Sequence, residues 1–100
     1  SGMPLYMLQA AYDTEDLDTL PATSKGRGEI VAGQLEKLGG RLLGFYQGSG
    51  KYDAVAFCEL PDDVTAGTLA ISVRTPAHMR DVKAIKLRGA LPDRLLRIRH

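Results

Sequence analysis

Apolar residues fall along the chain in short blocks, each closed by glycine, proline or acidic residues. Leu5 to Tyr12 (LYMLQAAY) is an apolar run with no helix cap before it and predicts a strand. Asp13-Thr14-Glu15-Asp16 ends it, and the stretch to Thr23, which holds Pro21, reads as a loop. From Ser24 to Leu38 the spacing changes to that of a helix, with Val31, Leu35 and Leu38 on one face and Glu36 and Lys37 turned outward. Gly26, Gly28 and Gly33 weaken this helix, and Gly39-Gly40 stops it. Arg41 to Gln47 and Tyr52 to Glu59 predict two strands joined by a hairpin across Gly48 to Lys51. Pro61-Asp62-Asp63 opens a second helix with an Asp N-cap and an acidic first turn, which suit the positive end of the macrodipole. Its apolar face is Ala66, Leu69, Ala70 and Val73, and Pro76 ends it. Asp81 to Leu87 alternates as a last strand, with Lys83 and Lys86 marking an edge.

The order β-α-β-β-α-β predicts an α+β, ferredoxin-like sandwich. In it a four-stranded antiparallel sheet carries both helices on one face, with the first and third strands central. The central strands are apolar on both faces: Leu5, Met7 and Ala11 oppose Tyr6, Leu8, Ala10 and Tyr12, and Val55 and Phe57 oppose Ala54, Ala56 and Cys58. Two helices cover one face. A second copy of the chain is the expected cover for the other, which predicts a homodimer through the sheet.

Composition narrows the class. One hundred residues allow a single domain, and a net charge of +1 gives no field for a nucleic acid or an anionic membrane. No apolar run is long enough to span a bilayer. Residues 1–3 read as a two-residue tag remnant and an initiator Met, 4–88 as the domain, and 89–100 as a tail in which Leu95, Leu96 and Ile98 lie between arginines. With one cysteine, Cys58, no internal disulfide forms, and the expected setting is cytoplasmic. One cysteine and one internal histidine do not make a four-ligand metal site, so no metal or other cofactor is expected.

Phe45 to Asp53 (FYQGSGKYD), followed by the strand Ala54 to Glu59 and by Leu60-Pro61-Asp62-Asp63, resembles the GYD domain family. Its Gly-x-Tyr-Asp-like signature appears here as Gly50-Lys51-Tyr52-Asp53. The resemblance covers most of residues 4 to 88. It implies membership of the dimeric α+β-barrel superfamily, whose proteins pair sheets into a barrel. Relatives there include cofactor-free monooxygenases, haem-binding oxidoreductases, lactone isomerases and ligand-sensing domains. The family itself brings no established substrate or catalytic residue, so function must be argued from the site.

Three readings follow: a small-molecule-binding homodimer, a cofactor-independent oxygenase or isomerase, and a self-association or sensory module without catalysis. Tyr52, Asp53 and His78 are the catalytic candidates. His78 is the one internal imidazole, the side-chain type suited to general-base work, and Asp53 also suits tying backbone N–H groups at the turn. Cys58 reads as a small buried hydrophobe. If Gln47 faces Lys51 across the hairpin, Tyr46 lies opposite Tyr52 and Phe45 opposite Asp53. That register places Tyr46 and Tyr52 at the mouth of a ligand cavity between helices and sheet, each offering an apolar body and one hydroxyl.

Overall fold

The computed structural model describes residues 2–12, 24–48 and 53–89. In chain order the elements are β1 (Leu5–Tyr12), α1 (Ser24–Lys37), β2 (Arg41–Gln47), β3 (Ala54–Glu59), α2 (Asp63–Ser72) and β4 (Met79–Leu87). All strand pairs are antiparallel and the sheet order is β2-β3-β1-β4, so β1 and β3 are central. This is the ferredoxin-like arrangement that the element order predicts. The C-terminal tail and the Ser49–Tyr52 loop lie outside the described residues.

Each helix is built by the residues that cap it. Asp62 takes an extended φ of −162° and its Oδ1 accepts from the Thr65 N–H at 2.7 Å and the Thr65 hydroxyl at 2.6 Å, which starts α2. At the end of α1, Gly40 N–H bonds the Leu35 carbonyl and Gly39 N–H bonds that of Glu36. That pair is a Schellman motif, and Gly39 takes the φ of +76° it requires. The turns after α2 close in the same way. Met79 N–H reaches Arg74 O and His78 N–H reaches Thr75 O, with His78 in the left-handed position at φ +53°.

The core lies between the helices and one face of the sheet. Val31 and Leu35 of α1, and Leu69 of α2 with its C-cap residue Val73, are fully buried there against Tyr6, Leu8, Ala10, Ala54, Ala56 and Cys58. These four side chains fill the space in which a ligand cavity was expected. The small strand residues serve close packing instead, as interiors generally do.

The hairpin register also differs from the expected one. Gln47 pairs with Ala54, Tyr46 with Val55 and Phe45 with Ala56, closed by a Gly48 N–H bond to Asp53 O at 2.9 Å. Against the Gln47–Lys51 pairing this is a shift by an odd number of residues, which exchanges faces along β2. Burial of Phe45 decides it. The Phe45 ring packs under α1 so closely that a methyl group on Gly28 would lie 3.3 Å from it. A register break between Leu42 and Gly44 keeps Leu42 on the same inner face while Tyr46 turns outward. Gly28, a weak helix former, is what lets helix and strand approach. β4 starts two residues earlier than its alternation suggests, because Asp81, at φ +51°, sits where the β1–β4 register shifts.

Candidate functional site

Of the sequence candidates, Asp53 has a structural partner. Its Oδ2 accepts from the backbone N–H of Tyr12 at 3.2 Å, tying the end of β1 to the start of β3. His78 holds its backbone in the turn before β4, and its ring is half-buried. Tyr46 is 59% exposed on the face away from the helices, its ring edge-on to Phe57 at 6.1 Å. Tyr52 lies outside the described residues. The chain brings Tyr46, Asp53 and His78 to one end of the sheet, and none of them lines either of the two grooves described below. Cys58 is buried, and burial pushes its thiol up to about 11, which suits packing and not attack. Among the described residues, no group of three His, Cys, Asp or Glu side chains gathers where a metal would sit. No described helix is long and apolar enough to cross a membrane.

Near Asp53, Tyr12 is buried at 3% exposure. The Arg27 guanidinium stands 4.8 Å from the ring centroid. Burial raises the Tyr12 pKa, and the Arg27 charge works in the opposite sense.

The more organised polar cluster lies at the other end of the sheet. β1 and β4 pair Tyr6 with Lys86, both on the helix side, and the first turn of α2 descends beside them. Tyr6 is 2% exposed, and its hydroxyl donates to Asp63 Oδ1 at 2.5 Å. Lys86 Nζ stands 3.5 Å from the same oxygen. The bond to Asp63, with burial adding to it, pushes Tyr6 up to about 12. The same bond, with the Lys86 charge second, holds Asp63 below the usual carboxylate range. At neutral pH Tyr6 is therefore a phenol and Asp63 a carboxylate, with Lys86 Nζ beside them. The cluster sits at one end of a groove of about 290 Å³ between α2 and the sheet, whose wall includes Ala66, Gly67, Ala70 and Ala84. A second groove of about 280 Å³ runs between α1 and β2 over Gly28, Leu42 and Phe45, with Lys25 and Glu29 at its rim.

Sequence reasoning read Asp63 only as helix-start chemistry and Lys86 only as an edge marker. One signal was present. Tyr6 falls on the inward face of a central strand, and a buried tyrosine hydroxyl requires a partner. In this topology the start of α2 lands beside the start of β1.

A two-helix, four-strand α+β domain with one open sheet face and a charged groove beside its second helix is the class that fold and site define. Within that class the chain belongs to the GYD domain family, whose model matches residues 6–87. No curated protein matches the chain significantly.

Proposed function

We propose that the chain works as a homodimer, paired through its open sheet face, that binds a small molecule. The observation that carries the dimer is the layout of that face. Across the sheet the middle row is Gly44, Phe57, Met7 and Ile85. The row on one side is Arg41, Glu59, Leu5 and Leu87, where Arg41 and Glu59 are ion-paired at 3.0 Å. On the other side it is Tyr46, Val55, Gln9 and Lys83. An apolar centre flanked by rows that carry Arg41, Glu59, Gln9 and Lys83 has the anatomy of a protein interface. Leu5 and Ile85, each 38% exposed, and Tyr46 are large apolar side chains left open on this face. A stable homodimer of this kind buries roughly 2,000 Å² or more in total.

Binding is favoured over acid–base catalysis by the titration of the charged cluster. A general acid or base works best with a pKa near the operating pH. Tyr6 is moved up and Asp63 down, both away from neutrality. The enzyme reading therefore lacks a proton-transfer pair at this site.

Sedimentation equilibrium tests the assembly. The expected mass is twice the 10.8 kDa of the chain, and Phe57→Glu is expected to sediment as a folded monomer. A wild-type monomer at micromolar concentration removes the reading.

A further inference from the structure

The groove beside α2 has a floor of small side chains and one polar end. Ala66, Gly67 and Ala70 of the helix and Ala84 of β4 leave its body open and mostly apolar. At its end, Asp63 Oδ1 accepts from Tyr6 and lies near Lys86. Among the described residues, Asp63 Oδ2 and Lys86 Nζ are the polar groups left to meet an occupant. The groove thus offers an acceptor and a donor side by side, at the edge of a methyl-lined surface.

Gly67 supplies a second, independent observation. It stands inside α2, where glycine is the weakest helix former after proline. A Cβ built on it meets nothing within 4 Å, so no packing among the described residues requires a glycine there. Gly33 of α1 is equally open but lines neither groove. The bare backbone at Gly67 leaves the groove wide beside its charged end.

We infer that this groove binds an uncharged molecule of about one-ring size bearing two adjacent polar groups. One group donates to Asp63 and the other accepts from Lys86, while the apolar body lies on Ala66, Ala70 and Ala84. This deepens the small-molecule reading above and rests on it. Size follows from the volume, which sits at the lower end of the roughly 300–1,000 Å³ typical of ligand pockets. The charges disfavour a lone ion of either sign. An anion would face the Asp63 carboxylate with Asp62 beside it, and the Asp62 side chain is already engaged by Thr65. A cation would face the Lys86 ammonium.

Three probes of one ring each separate these cases: catechol, benzoate and benzylamine, titrated into the full-length protein and followed by amide chemical shifts. Catechol is expected to move Ala66, Gly67, Ala70 and Ala84 saturably, about tenfold or more tighter than either charged ring. Lys86→Met is expected to weaken catechol by a similar factor. Gly67→Leu fills the groove and abolishes its binding, yet melts at or above the wild-type temperature because leucine is the better helix former. Benzoate or benzylamine binding as well as catechol, or Gly67→Leu binding catechol normally, overturns the inference. So does the absence of shifts in the groove with all three probes. Light scattering on the same samples keeps the two readings apart. A dimer that ignores the probes refutes this site alone, shifts elsewhere leave small-molecule binding standing, and a monomer refutes the assembly whatever the probes do.

Discussion

Tyr6 and Asp63 are 57 positions apart and meet at 2.5 Å, and their titrations carry a definite sign. Tyr6 is raised from 10.0 to about 12, so its contribution to stability is complete below pH 10 and is lost as pH rises through about 12. Cys58, raised by burial to about 11, acts in the same direction from pH 9 upward. Asp62 and Asp63 are lowered, so their contribution is present above about pH 4 and is lost as pH falls through their depressed values. Tyrosine absorbance followed to alkaline pH is expected to show a late step near 12 that Tyr6→Phe removes. A titration unchanged by that substitution contradicts the assignment. The sequence suggested that Asp53 ties the backbone of its own turn; it bonds instead the Tyr12 N–H of β1, and Asp53→Ala should cost about 1 kcal/mol in denaturant unfolding. A much larger loss would mean that Asp53 holds more than the Tyr12 N–H. The Tyr6 partnership was not legible in the sequence, because no local spacing links a strand start to the first turn of a distant helix.

At the scale of elements, all six were readable from pattern and punctuation, and so were the edge position of β4 and the central pair. What hid was the register of β2. Leu42, Leu43 and Phe45 offer two alternations, and only the contact of Phe45 with Gly28 on α1 selects between them. A tertiary contact, absent from any local window, thus decided which face Tyr46 takes. Gly28→Val is accordingly expected to destabilise by about 1–3 kcal/mol through overpacking against Phe45. Thermal melts that place it at or above wild type would show that α1 and β2 are not in close contact. Gly39, in the left-handed position that ends α1, should tolerate alanine at a cost of about 1–2 kcal/mol. The expected cavity beneath the helices failed for the same kind of reason: small strand residues permit either a void or a close helix. Val31, Leu35, Leu69 and Val73 take up the space. Leu69→Ala, which would open it, is expected to cost about 2–5 kcal/mol.

For the molecule as a whole, the two-sided apolar character of β1 and β3 was the most informative feature of the sequence. The proposed dimer rests on the rows of the open face, whose middle row is Gly44, Phe57, Met7 and Ile85. A face centred on Phe57 and Met7 and left in water would be unusual for a domain of this size. In the proposed dimer the contact is sheet to sheet and leaves both helices free. The most direct measurement is an isotope-filtered NOE experiment on a mixture of ¹³C-labelled and unlabelled protein, which detects contacts between copies only. The account predicts intermolecular NOEs from Phe57, Met7 and Ile85. No intermolecular NOE at millimolar protein, or NOEs confined to α1 and α2, would contradict it.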